Sequence, residues 1–275
     1  MEFGVLGPLF IRAEGVTIAP SAPKLRTVLG MLLIHSGQVV PVSSLIRELW
    51  DDGPPNSGLT TLQTYILNLR KLFVSVTGLS AKEISHDVLI TCAGGYLFQA
   101  GVGNLDIHRY YPLVEAGRHA LAARDDRVGA RHLSEALRLW RGPALMDVPS
   151  GRVLESKRRQ FEESRLAVLE YKIDAELRLG MYRDVLAQLA ALIVENPLHE
   201  GLYMQYMRAL YFSGRRAHAL EVFHQLRKSL VTELGINPGS SVQKLYQAIL
   251  TSDADFGELR PHSDRAVSGG QSRRG

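Results

Sequence analysis

Apolar and polar residues alternate with two different periods along the first hundred positions. Residues 2–6 and 10–13 are short runs of β type broken by Gly7-Pro8, and a third brief run, 16–18, follows Gly15. At Pro23 the spacing changes. Leu25, Val28, Leu29, Leu32 and Leu33 recur at helical intervals, with Pro23 suited to the first turn and Gly37 to the C-cap. A shorter helix is predicted over about 43–50, with Leu45, Ile46 and Leu49 inward. Asp52-Gly53-Pro54-Pro55-Asn56 has the composition of a loop, and a third helix follows over about 58–74. Residues 88–91, the pair Gly94-Gly95 and residues 96–99 predict a hairpin with a glycine-rich tip.

From Leu105 to Leu250 the pattern is helix after helix. Breaks fall near Gly142-Pro143, Gly180, Asn196-Pro197, Gly214 and Asn237-Pro238-Gly239. Two segments, Gly180 to Leu186 and Gly214 to Leu220, align with Gly and Leu in register. Their offset equals the period of a tetratricopeptide (TPR) repeat, about 34 residues. The expected organisation is therefore an α+β domain over 1–98, a boundary at 99–104, an all-α TPR-like array of helical hairpins over 105–250, and a polar, disordered tail over 251–275. The fold class as a whole is mainly α.

With 275 residues and 45% apolar composition, the chain can bury one large core or two ordinary ones. No apolar run approaches the ~18 residues a membrane span needs, and no secretory signal is expected at the N-terminus. A single cysteine, Cys92, excludes a disulfide framework or a cysteine-clustered zinc site and fits a reducing cytoplasm. The net charge of +4 is unevenly placed. Residues 1–98 hold seven Lys/Arg against seven Asp/Glu, while 105–250 hold 21 against 17. A nucleic-acid role for the first region must therefore rest on where its few cations stand.

The third helix gives them a place. Leu59, Leu62, Ile66, Leu69 and Phe73 share one face at about 100° per residue. The other side carries Thr60, Thr64, Leu67, Asn68 and Lys71, flanked by Thr61, Gln63 and Arg70. Seven of these eight side chains can hydrogen-bond and none is acidic, so phosphates would not repel them. Thr, Gln and Asn reach base edges or phosphate oxygens, and Arg and Lys neutralise phosphates. Lys24 and Arg26, at the start of the first long helix, are further phosphate candidates, and Lys82 could add one contact. Leu67 is the one apolar residue on this outward face; it would meet a thymine methyl or simply be tolerated.

Helix, turn, amphipathic helix and glycine-tipped hairpin, preceded by strands, resemble a winged helix-turn-helix of the OmpR type. The resemblance sharpens at Leu62-Gln63-Thr64-Tyr65-Ile66-Leu67-Asn68-Leu69-Arg70-Lys71, which looks like the recognition helix of the Streptomyces antibiotic regulatory protein (SARP) family. Phe3-Gly4-Val5-Leu6-Gly7-Pro8, Lys24-Leu25-Arg26, Leu49-Trp50 and Gly95-Tyr96 resemble other marks of its first domain. Leu139-Trp140-Arg141-Gly142, Glu163-Ser164-Arg165-Leu166, Asn196-Pro197-Leu198-His199-Glu200 and Glu233 to Gly239 resemble its bacterial transcriptional activation domain. The resemblance implies a cytoplasmic, nucleoid-associated activator of an antibiotic or other specialised-metabolite cluster. It would bind direct repeats of promoter DNA as a head-to-tail dimer and contact RNA polymerase and its sigma factor. The run Lys157-Arg158-Arg159 is either solvated helix surface or part of that polymerase contact.

No nucleotide-binding loop, zinc-protease motif or nucleophile–base pair is present, so no enzyme activity, cofactor or metal is expected. The scattered histidines and Trp140 read as surface or core residues, Cys92 as a small buried hydrophobe, and Glu162-Glu163 as a solvated pair. Other readings are the output half of a response regulator, which would need a receiver domain before residue 2, and a TPR-like adaptor whose first domain is only structural.

Overall fold

In the computed structural model, which describes residues 1–13, 15–101 and 104–251, the N-terminal runs form an antiparallel meander. β1 (Glu2–Gly4), β2 (Phe10–Ala13) and β3 (Val16–Ile18) pair in that order, with Phe3 opposite Ile11 and Ile11 opposite Ile18. The tail expected from Ser252 lies outside the described residues, as do Val102 and Gly103 of the glycine-rich stretch.

Three helices follow, α1 (Pro23–Ile34), α2 (Val42–Trp50) and α3 (Gly58–Thr77). Gly37 adopts φ 82° after α1, a conformation that costs glycine little. The chain then enters β4 (Val39–Pro41), a strand too short to register in the sequence pattern. A single turn, α4 (Ala81–Glu83), is closed by reciprocal bonds between Ser80 and Glu83 and continues as a π-helical turn over Ile84–Val88. β5 (Leu89–Cys92) and β6 (Gly95–Phe98) make the predicted hairpin, and β4 pairs with the free edge of β6. The result is a winged helix-turn-helix whose wing is the β5–β6 hairpin.

Its core is aromatic where helix and sheets meet. The rings of Phe3 (β1), Phe73 (α3) and Phe98 (β6) lie 5.0–6.1 Å apart, centroid to centroid, and all three are buried. Leu62, Ile66, Leu69 and Phe73 form the inward face of α3 as expected. Leu59 does not join them; it is 50% exposed. Its place in the first turn is taken by buried Gly58, which packs close to Pro54, Pro55 and Trp50. Glu48 is the other departure: it is buried among the apolar positions of α2.

The remaining helices are α5 (Asp106–Ala122), α6 (Asp126–Leu137), α7 (Arg152–Arg178), α8 (Leu186–Glu195), α9 (Glu200–Phe212), α10 (Arg216–Leu234) and α11 (Ser240–Thr251). The chain forms two compact units. Among the described residues, one joins 1–115 to 135–166, and the other joins 116–134 to 167–251.

In the second unit the helical hairpins repeat one device. At Gly180 and Gly214, one repeat apart, the chain turns left-handed at φ 79° and 81°. Each glycine amide donates to a carbonyl three residues back (Leu177, Tyr211), and the next amide donates five residues back (Glu176, Leu210). This is the Schellman closure, which satisfies the last carbonyls of a helix. A third copy sits at Arg124, φ 61°, whose amide bonds Leu121 while that of Asp125 bonds Ala120. No glycine announces this copy, so the sequence period shows two members of the set. Where α5 meets α6, an added Cβ on Gly129 would lie 2.4 Å from Leu121 Cδ2, and one on Gly117 2.6 Å from Leu133 Cδ2. Glycine at these two sites lets the helices approach closely. At Gly180 and Gly214, by contrast, an added Cβ meets nothing within 4 Å. Gly180→Ala and Gly214→Ala are therefore expected to cost only the left-handed backbone penalty, about 1 kcal/mol each, read from urea melts of the full chain.

Candidate nucleic-acid interface

The twenty residues of α3 extend about 30 Å at 1.5 Å per residue. Thr60, Gln63, Thr64, Leu67, Asn68 and Lys71 are exposed along its outer face, and Thr61 is half-buried at the edge. No carboxylate stands among them. The Thr64 hydroxyl donates back to Thr60 O at 3.0 Å, leaving its oxygen free to accept. A helix of this width fits the major groove of B-DNA, where such side chains meet base edges.

The structure separates the cations that sequence grouped together. Lys71 and Lys82 are exposed. The Lys24 ammonium lies 4.7 Å from the ring centroid of Trp50, a cation–π contact that holds it at the surface. Arg47, exposed on α2, is a further cation that the sequence reading passed over. Arg70 serves the wing: its guanidinium donates to Leu89 O at 2.8 and 3.1 Å and to Thr91 Oγ1 at 2.8 Å. These bonds tie α3 to β5 and fix the hairpin against the helix. Arg26 is also engaged internally, with Pro20 O, with Asp147 O and with the Asp147 carboxylate at 3.3 Å.

At the wing tip, Gly94 and Gly95 do different things. Gly94 is exposed with φ 75°, and an added Cβ would point into open space. Gly95 is buried, and a Cβ there would lie 2.4 Å from Val40 O on the neighbouring strand. Cys92, expected to be buried, is only half-buried, because it is the last residue of β5 and leads straight into the exposed tip.

Behind this surface, carboxylates anchor the winged helix to residues 105–115 and 135–154 of the same unit. Asp106 opens α5 and is buried. Its two oxygens accept from the amides of Val5 (3.0 and 2.9 Å), Leu6 (3.0 Å) and Ile107 (2.9 Å), and from Arg141 at 2.9 Å. Burial pushes the Asp106 carboxyl above the usual aspartate value, against the opposing pull of the Leu6 and Val5 amides and Arg141. Arg141 also donates to Pro8 O at 2.7 Å and stacks over Phe10, 4.2 Å from the ring centroid. A Cβ on Gly7 would lie 2.9 Å from Arg141 Cβ. Gly7-Pro8 and Trp140-Arg141-Gly142 thus interlock, although they lie far apart along the chain.

Two further clasps are built the same way. Asp147 accepts from Leu9 N at 2.8 Å as well as from Arg26. Glu48 accepts from Val153 N (2.9 Å) and Leu154 N (3.0 Å), which are donors in the first turn of α7 that no helical carbonyl can satisfy. Gly151 allows the approach, since a Cβ there would sit 2.6 Å from Glu48 O. The sequence reading missed Glu48, Asp106 and Asp147. The available signal was a carboxylate at an otherwise apolar position, as at Glu48.

The run 157–159 also divides. Arg158 donates to Ala144 O, Leu145 O, Val148 O, Ser150 Oγ and Glu155, so it organises the chain before α7. Lys157 donates to Gln160 and faces the Phe161 ring, and Arg159 is 78% exposed beside Glu155. Glu162, read from sequence as solvated, accepts from Ala144 N at 2.6 Å and so anchors the same segment. Trp140 is a core residue, edge-on to Tyr110 at 5.7 Å with Arg165 over its face. Among the described residues no helix is long and apolar enough to cross a membrane, and no group of three His, Cys, Asp or Glu is placed to hold a metal ion.

Comparison with known proteins agrees with this architecture. The profile of the bacterial transcriptional activator domain matches residues 105–250. Regulatory protein DnrI of Streptomyces peucetius is 41% identical over 268 residues, covering 98% of both chains. Transcriptional regulator RedD of Streptomyces coelicolor is 34% identical over 92% of this chain and 71% of its own length. The solved structure of Mycobacterium tuberculosis EmbR in complex with a low-affinity phosphopeptide matches with a TM-score of 0.84 at 34% identity, covering 92% of this chain and 65% of that one. The activator-domain match and the end-to-end similarity to DnrI show that the chain belongs to the SARP family of transcriptional activators.

Proposed function

We propose that this protein is a sequence-specific activator of a specialised-metabolite (antibiotic) gene cluster. In this reading α3 enters the major groove at direct repeats beside a promoter. Two copies bind head-to-tail, and the helical domain contacts RNA polymerase and its sigma factor at the nucleoid. The observation that carries the reading is the acid-free outer face of α3, on which Thr60, Gln63, Thr64, Asn68 and Lys71 are all exposed. The related regulators, named for regulation and not for catalysis, support it.

The side chains divide into roles. Gln63, Thr64 and Asn68 offer donors and acceptors to base edges, and Thr60 and Thr61, in the first turn of α3, offer hydroxyls to bases or phosphates. Lys71 and Lys24 neutralise phosphates. Arg70 and Arg26 act by holding the wing and the start of α1 in place while adding positive charge nearby.

A fluorescence-anisotropy titration with operator and random duplexes tests this. Asn68→Ala is expected to weaken binding at the operator by ~1–3 kcal/mol and to leave random DNA unaffected. Lys71→Ala is expected to weaken both and to lower the salt slope by about one unit. Equal losses for Asn68→Ala on the two duplexes would remove its base-reading role. An absence of salt-dependent binding would favour the adaptor reading.

For the polymerase contact, half-buried Lys157 and exposed Arg159 are the two cations of the run to test, because reversing Arg158 would unmake its five internal bonds. The double variant Lys157→Glu/Arg159→Glu is expected to keep operator affinity and to lower transcription in a purified system. Undiminished transcription would place the contact elsewhere.

A further inference from the structure

We infer that Leu67 reads the C5-methyl group of a thymine in the operator, an inference that rests on the DNA-binding reading of α3. Leu67 is 50% exposed and contributes nothing to the core, which Leu62, Ile66, Leu69 and Phe73 fill on the opposite side. At about 100° per residue it falls at the middle of the outer face, within roughly 20–40° of Thr60 and Lys71. Gln63 and Thr64 lie one turn before it, and Lys71 one turn after. A single exposed leucine on a protein surface is ordinary. This one stands at the centre of a face that is otherwise polar and without carboxylates, where covering it is most favourable with an apolar group, because a polar one would be desolvated without a partner.

The surroundings specify what covers it. Polar, uncharged side chains on one side and a cation on the other match a groove floor of base edges with phosphate walls. On that floor the thymine methyl is the apolar group that a leucine can cover. Arg70 cannot take the position, because its guanidinium is held on Leu89 O and Thr91 Oγ1 of the wing. The geometry therefore assigns direct reading of a T·A pair to an apolar contact, with Gln63, Thr64 and Asn68 hydrogen-bonding to neighbouring pairs.

The test changes the DNA and leaves the protein fold untouched. A duplex is selected from a random library by the full-length wild-type protein, and each thymine is replaced singly by deoxyuridine, which removes the methyl and preserves pairing. At one thymine position in each half-site, wild type is expected to lose about three- to tenfold in affinity, the scale of one buried methyl. Leu67→Ala should bind the parent duplex with a similar loss and be indifferent to deoxyuridine at that position. If no single replacement matters to wild type while binding stays tight and salt-dependent, this inference fails and the DNA reading stands. A deoxyuridine penalty that persists undiminished in Leu67→Ala overturns the inference equally. Absence of any duplex selected by wild type overturns both.

Discussion

Asp106→Ala is expected to destabilise the first unit by about 3–5 kcal/mol, the range for deleting one partner of a buried, hydrogen-bonded ion pair. The substitution orphans three backbone donors, on Val5, Leu6 and Ile107, and leaves Arg141 without its carboxylate. Each buried donor left unmade costs on the order of 1–3 kcal/mol before any relaxation. The effect should vary with pH in a definite sense. Burial raises the native carboxyl above its ordinary value of 3.8. The folded state therefore holds this proton more tightly than the unfolded chain does. The contribution of Asp106 is thus fully present below the ordinary aspartate value and shrinks as pH rises through the raised native one. Urea melts of wild type and variant across that window should show the gap narrowing upward; a gap that widens with pH would contradict the assigned balance of burial and hydrogen bonding. Loss of the anchor should also weaken operator binding, because residues 5–9 would no longer be held against the first domain's core.

Gly95→Val should be comparably damaging, about 3 kcal/mol at the upper end of overpacking costs, for an unrelated reason. A Cβ at this position would meet Val40 O at 2.4 Å and Val40 C at 3.0 Å. These are backbone atoms of β4, so no rotamer change relieves the clash. The β4–β6 ladder, which places Pro41 opposite Gly95 and Val40 opposite Tyr96, must open instead. Gly94→Ala, one residue away, should cost only about 1 kcal/mol, since its left-handed φ is the sole demand. Circular dichroism melts of the two variants give the comparison, and similar losses at the two sites would show that tip conformation and not strand approach decides wing stability. Because Arg70 ties α3 to β5, a Gly95→Val protein that still folds is expected to bind DNA more weakly than its stability alone explains.

Much of the molecule was legible from the chain because the information was local. Pro23, Gly37 and the 3-4 spacing of leucines specify α1 through backbone geometry and one buried stripe. The Gly94-Gly95 pair specifies a hairpin, and a glycine recurring once per repeat, at Gly180 and Gly214, specifies two of the three helical closures. The outer face of α3 was equally readable, since amphipathic periodicity assigns both sides of a helix at once. Where periodicity alone was used, the edges slipped: Leu59 has the right spacing, but Gly58 takes the inward place against Pro54, Pro55 and Trp50.

What tertiary structure alone decided is how the charged groups are used. Arg26, Arg70 and Arg158 look like Lys71 or Arg159 in a sequence, yet carbonyl groups from other segments accept hydrogen bonds from them. Asp106, Asp147 and Glu48 look like solvated acids, yet each meets backbone amides 100 or more residues away. A charge carries no periodic signature of its partner. Whether it faces water, DNA or a buried amide depends on which segment the fold brings within about 3 Å, and that pairing exists only once the chain has folded.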